Sequence, residues 1–130
     1  MRVFSAGTIA TIAIIAATGS ASAQAIKSRD LASVAEASKQ NEARFERDYK
    51  GKRFEDRISF AGMEKPIFGG SGYNVRLGSG GFLHAAECRI TDPATINHLI
   101  DKNVGDTLTV SGTVDYTIMG VVMLEECVVR

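Results

Sequence analysis

The sequence predicts a small, mainly β barrel of five strands, with one helix before the first strand and a short helix between the third and fourth. Three observations predict it. Five stretches alternate apolar and polar residues at the period of a strand. Two stretches instead show helical spacing, giving the order helix, three strands, helix, two strands. Glycines stand at positions 62, 112 and 120, inside strands that must bend to close a small barrel. A chain of 130 residues favours one domain.

Residues 1–23 stand apart. Met1-Arg2 is a minimal basic start, Val3 to Ala17 is apolar or small without charge, and Ala21-Ser22-Ala23 precedes Gln24. That order of features predicts an export signal peptide cleaved after Ala23. A membrane anchor is the competing reading. The apolar run is short for that purpose and is diluted by Thr8, Thr11, Thr18 and Ser20, whereas a spanning helix needs about 20 largely apolar residues. Position 24 is Gln and not Cys, so a lipid anchor there is not expected. The expected product is a periplasmic or secreted monomer with no stable membrane insertion after cleavage. Only Arg2 leaves with the leader, so the mature chain carries one more acidic than basic side chain. A basic excess of the kind that neutralises phosphates is absent, and any basic stripe must be local.

From Ser28 to Lys50 the spacing predicts one helix, with Leu31, Val34, Ala35, Phe45 and Tyr49 on one side and Ser38 and Glu42 interrupting that side. Ser28 is the expected N-cap, Asp30 lies in the first turn and Gly51 follows as the C′ glycine. Residues 24–51 are therefore expected to pack as a helix on a barrel formed by residues 52–130. The first strand, Arg53 to Gly62, turns Phe54, Ile58 and Phe60 inward; Asp56 interrupts that face and predicts a bend or bulge. Tyr73 to Leu77 alternates cleanly, and Gly78-Ser79-Gly80-Gly81 reads as a hairpin connection into Phe82 to Ile90. Asp92 to Lys102 reads as the short helix, with Pro93 at its first position and Ile96, Leu99 and Ile100 as its apolar side. After a turn at Asn103 to Asp106, Thr107 to Asp115 turns Leu108, Val110 and Val114 inward, with a kink at Gly112. Met119 to Val129 is expected as one last strand.

A helix between strands three and four of five is the connectivity of an OB-fold, a partly open Greek-key barrel. An SH3-like barrel is the nearest alternative, but it calls for no helix there. The two cysteines, Cys88 and Cys127, fall late in the third and fifth strands, which are neighbours in an OB barrel. In an exported domain they are expected to pair as a disulfide, the alternative being two buried thiols.

Asn41-Glu42-Ala43 on a helix and Tyr49-Lys50-Gly51-Lys52 entering the first strand give the chain a familiar outline. It continues through Gly105-Asp106-Thr107-Leu108-Thr109-Val110-Ser111-Gly112 and closes with Leu124-Glu125-Glu126-Cys127. In these segments the chain resembles the tRNA-anti-like family of bacterial exported OB-fold proteins. It departs from that pattern at Asp56-Arg57-Ile58-Ser59, where members usually carry an apolar residue and a glycine. The resemblance implies an OB-fold and likeness to the anticodon-binding domain of tRNA synthetases, hence nucleic-acid binding.

The residues themselves point to no catalysis. No H-E-x-x-H, C-x-x-C, G-x-S-x-G or phosphate-cradling glycine motif occurs, and Gly69 to Gly81 reads as flexible connections. His84 and Cys88, four residues apart on a strand, are about 13 Å apart, too far for one metal or a proton relay. His98 on the short helix reads as solvated or capping. No cofactor or metal is expected, and no enzyme. OB-folds bind through strands two and three and the flanking loops. There Asn74, Arg76 and Arg89 point outward by alternation, with Lys65 and Phe68 in the preceding loop; these are the candidate ligand contacts. Tyr73 and Phe82 fall on core faces and Glu87 lies close to Arg89, which makes a weak platform for a nucleic acid strand. The expectation is an exported binding module for a protein, peptide or small ligand of the envelope. Single-stranded nucleic acid is the alternative.

Overall fold

The computed structural model describes residues 24–78 and 84–130. The expected signal peptide, the connection Ser79 to Gly81 and Phe82 lie outside the described residues. A 3-10 turn at Ser28–Asp30 leads into α1 (Leu31–Gln40) and α2 (Glu42–Asp48). The strands are β1 (Arg53–Glu64), β2 (Tyr73–Leu77), β3 (Ala86–Ile90), β4 (Thr107–Ile118) and β5 (Val121–Val129), with α3 (Pro93–Ile100) between β3 and β4. The strands form a closed barrel in the order β1-β2-β3-β5-β4, the OB-fold that the element order predicts. All pairings are antiparallel except β3 with β5.

Closure depends on β1. Its first half, Arg53 to Ser59, pairs with Thr107 to Thr113 of β4, and its second half, Phe60 to Glu64, pairs with Asn74 to Leu77 of β2. The register shifts between Phe60 and Gly62, where the consecutive residues Phe60 and Ala61 are both buried. An extra residue at that point bends the strand around the barrel corner. The bend lies here and not at Asp56, which sits in regular register opposite Val110. Asp56 needs no bulge because its carboxylate is used: Oδ2 accepts the Ser28 backbone N–H at 2.9 Å and the Ser28 hydroxyl at 2.7 Å.

The barrel interior is filled by the residues that alternation turns inward. They include Phe54, Ile58 and Phe60 of β1, Val75 and Leu77 of β2, Leu108, Val110 and Val114 of β4, and Val122 and Leu124 of β5. Leu99 of α3 joins them, whereas Ile96 is half-buried and Ile100 is exposed. Ile26, Leu31, Val34 and Phe45 extend the same core into the N-terminal segment. Ile26 is also bound to β1 as a parallel bridge to Phe54, with N–H to Arg53 O at 2.8 Å. The Ser38 hydroxyl and the Thr117 hydroxyl lie 2.6 Å apart, tying α1 to the end of β4.

The single helix expected from Ser28 to Lys50 is two. Asn41 is extended (φ −159°, ψ 101°) and its side chain accepts the Arg44 backbone N–H, so it ends α1 and caps α2. Ser28 is not an N-cap, because its hydroxyl is committed to Asp56; the Asp30 carboxylate instead accepts the Lys27 backbone N–H. Met119 and Gly120 are not strand either. They are the two-residue turn of the β4–β5 hairpin, both with left-handed φ (49° and 83°). Gly112 does sit at a kink: the β4–β5 register shifts around it, and an added Cβ would lie 3.1 Å from the Cys127 sulfur.

Cys88 and Cys127 form a disulfide across neighbouring strands, with Cα atoms 6.1 Å apart and a separation of 39 positions in sequence. A crosslink of that span contributes about 3–4 kcal/mol by restricting the unfolded chain. Replacing both cysteines by serine is expected to lower stability in urea by about that amount. Alkylation of the untreated protein is expected to label neither sulfur; full labelling would show that the bridge is absent.

The Asp56 carboxyl is held below its ordinary value, chiefly by the Ser28 hydroxyl and then by the Ser28 N–H. A carboxyl whose value is lowered by folding stabilises the protein fully above the ordinary carboxylate value, about 4, and loses that contribution as pH falls through the lowered value. Asp56→Asn is expected to cost about 1–2 kcal/mol at neutral pH. Its acid unfolding curve should be flatter below pH 5 than that of the parent; parallel curves would mean that Asp56 is not the group responsible.

Candidate ligand-binding face

The outer face of β2 and β3 carries three of the four candidate contacts together. Asn74 lies opposite Arg89 and Arg76 opposite Glu87 in the β2–β3 register, and all four side chains project to the same side. Lys65 is exposed in the β1–β2 loop, one residue beyond Glu64, which pairs with Asn74. Alternation therefore places Asn74, Arg76 and Arg89 correctly and Lys65 at their margin.

Arg76 is half-buried and Arg89 exposed. Each guanidinium lies over a glycine. A Cβ on Gly62, which pairs with Arg76, would come within 2.5 Å of Arg76 Nη2, and one on Gly70 would be 3.0 Å from Arg89 Nη2. Arg89 Nη2 also donates to the Gly69 carbonyl oxygen at 3.4 Å. Arg76 Nε is buried with no hydrogen-bond partner among the described residues. Glu87 does not answer either arginine: its carboxylate lies 3.1 Å from His84 Nε2, both side chains being mostly shielded. His84 precedes β3 and turns to the outer face with Glu87, whereas Cys88 points inward into the disulfide, so strand alternation did not extend back to His84.

The loops at the two ends of this face carry large apolar side chains in water. In the β1–β2 loop, Phe68 is 100% exposed and Ile67 87%. At the tip of the β4–β5 hairpin, Met119 is 98% exposed, with Ile118 and Tyr116 behind it on the outer surface. Tyr116 pairs with Met123, and Met123 with Glu87, so the hairpin surface is continuous across the sheet with the face bearing Arg76. The hairpin residues extend the candidate face beyond what sequence reasoning named. Its signal was a glycine two residues after Ile118 between two β-rich runs, which marks a two-residue turn even when Met replaces the usual Asn or Asp.

Burying a polar nitrogen without a partner costs stability, about 1–3 kcal/mol for an unmade hydrogen bond. Arg76→Met keeps the aliphatic packing and removes the unpartnered Nε. It is expected to be at least as stable as the parent in urea; a loss above about 1 kcal/mol would show that the guanidinium is held by bonds that stabilise the fold.

No protein-family model matches the chain, and no curated protein matches it. Its fold is similar to that of a solved structure from Klebsiella pneumoniae subsp. pneumoniae MGH 78578, named a "putative nucleic acid-binding lipoprotein". The TM-score is 0.53 at 17% identity, and the match covers 85% of this chain and 95% of that one. At this identity the likeness is one of fold.

Proposed function

We propose that the chain is an exported, non-enzymatic OB-fold binding module, monomeric, that takes a protein, peptide or small apolar ligand of the envelope on its β2–β3 face. The observation that carries this reading is the exposure of Phe68, Ile67 and Met119 at the two loops bounding that face. Large apolar side chains fully in water are disfavoured unless a partner covers them. Met119 adds a second cost, because a non-glycine residue in the left-handed region is strained by about 1–2 kcal/mol. Arg76 contributes less to a phosphate site than its position suggests, since its half-buried guanidinium lies over Gly62, which leaves the exposed Arg89 as the available cation of the pair.

Export is supported by the leader-like residues 1–23, by the disulfide and by likeness in fold to a lipoprotein. The tRNA-anti-like resemblance is compatible with the same barrel. A second reading, binding of single-stranded nucleic acid, is favoured by the name of the Klebsiella protein and by the position of Arg76 and Arg89 on the customary OB surface.

The two readings separate on salt and on which residues matter. Peptides selected by phage display on the purified protein should bind saturably and with little dependence on salt. Phe68→Ser and Met119→Ser should each weaken them about tenfold, and Arg76→Ala and Arg89→Ala by about twofold or less. Labelled single-stranded DNA or RNA titrated by fluorescence anisotropy should not bind, even at low salt. Saturable, salt-sensitive binding whose salt slope falls by about one in Arg76→Ala or Arg89→Ala would overturn the proposal in favour of nucleic acid.

A further inference from the structure

At the opposite end of β1 from the Phe68 loop, the described residues border an open recess of about 770 Å3. It is bounded by the N-terminal segment around Ile26, the 3-10 turn, the start of α1, Tyr49 after α2 and Lys52 before β1. The walls are fixed in place. Ile26 is bridged to Phe54, Gly51 N–H donates to Val114 O at 2.8 Å, and Ser28 is anchored to Asp56. A volume of this size suits a small molecule, for which pockets run from about 300 to 1,000 Å3.

The lining is cationic. It includes Lys27, Arg29 and Lys52 against a single carboxylate, Asp30. Asp30 is already engaged, with one oxygen on the Lys27 backbone N–H at 3.0 Å and the other 4.0 Å from Arg29 Nε. The nearby carboxylates are likewise committed: Asp48 to Arg47 at 2.7 Å, Glu55 to Arg53 at 3.1 Å and Asp56 to Ser28. The Lys27 ammonium donates to the Glu55 carbonyl oxygen at 2.8 Å and, without forming an ion pair, helps to lower the nearby Asp56 carboxyl. Lys52 makes no ion pair among the described residues. Tyr49, half-buried, and Ile26, buried, supply an aromatic and an apolar wall beside these charges.

We propose that this recess binds a small organic anion, a sulfonate, carboxylate or phosphate on an apolar or aromatic body, with Lys27, Arg29 and Lys52 facing the charge and Tyr49 the body. The site is separate from the β2–β3 face, and the twelve residues of β1 lie between them. A molecule in the recess would bridge the N-terminal segment to the barrel and thereby stabilise the docked arrangement by mass action.

The probe is 8-anilinonaphthalene-1-sulfonate, whose fluorescence rises on transfer to an apolar site, titrated into the purified protein. Saturable binding is expected, weakened about tenfold in the double variant Arg29→Glu/Lys52→Glu and unchanged in Phe68→Ser. The uncharged analogue N-phenyl-1-naphthylamine, which lacks the sulfonate, is expected to bind more weakly than the parent probe. Both substituted side chains are exposed, and an unaltered circular dichroism spectrum and urea midpoint verify that the double variant folds. If binding is lost in Phe68→Ser and retained in the double variant, the probe sits on the loop and the recess proposal fails while the β2–β3 reading stands. Absence of saturable binding overturns it as well. Flotation with phosphatidylglycerol vesicles that disappears in the double variant assigns the anion to a lipid headgroup, whereas probe binding without flotation assigns it to a soluble anion.

Discussion

At Ser59 and Phe60 the backbone of β1 transfers its hydrogen bonds from one neighbour to the other. The Ser59 carbonyl accepts Gly78 N–H from the β2 side, while Phe60 donates to Asp106 O and accepts from Gly105 N–H on the β4 side. A strand of twelve residues thus serves two partners in succession. The bulge that permits the transfer buries Phe60 and Ala61 together and brings Gly62 out of phase with φ at +138°. That backbone conformation suits glycine, and the missing side chain has a consequence on the next strand. The Arg76 guanidinium occupies the space over Gly62, so the geometry of the candidate face is set by the closure of the barrel.

Much of this was readable in the order of residues. Strand alternation reports which side chains are buried because one face of each strand meets the core, so Phe54, Ile58, Val75, Leu77, Leu108 and Val110 were identifiable one by one. The disulfide followed from topology, since β3 and β5 adjoin in a barrel of this connectivity. What failed to show depended on partners distant in sequence or on a single side chain. Asp56 looked like a defect in the strand because its partner, Ser28, lies 28 residues away. The break between α1 and α2 rests on one hydrogen bond from Arg44 N–H to Asn41, and the interruption of the apolar side at Ser38 and Glu42 did not by itself distinguish a break from an imperfect stripe.

The candidate face divides along the same line. Alternation put Asn74, Arg76 and Arg89 on one side of the sheet, because direction is fixed by the pleat. It had no means to say where a long side chain ends, and the arginine heads turn back onto Gly62 and Gly70. The Met119 tip was hidden for a different reason. A two-residue turn with left-handed φ at both positions normally declares itself by Asn-Gly or Asp-Gly, and here the first residue is methionine.

That methionine is informative about how the fold distributes strain. A chain selected only for a stable hairpin would place Asn or Gly at position 119, relieving the backbone and removing an apolar side chain from water. The same reasoning holds for Phe68, followed by Gly69 and Gly70, both with positive φ, in a loop where a polar residue would cost nothing in packing. Both departures lie in loops bounding the β2–β3 face. The parts that resist deformation, the closed ladder and the disulfide between β3 and β5, lie directly beneath it. A rigid barrel that fixes two apolar loop tips relative to each other lowers the ordering cost of association, since little remains to be immobilised when a partner covers them. Scattered exposed apolar residues need no explanation, and Glu126 in β5 shares a left-handed φ; two apolar loop tips, Phe68 and Met119, almost fully in water at the two ends of one face of a rigid scaffold, argue that the face is kept for contact.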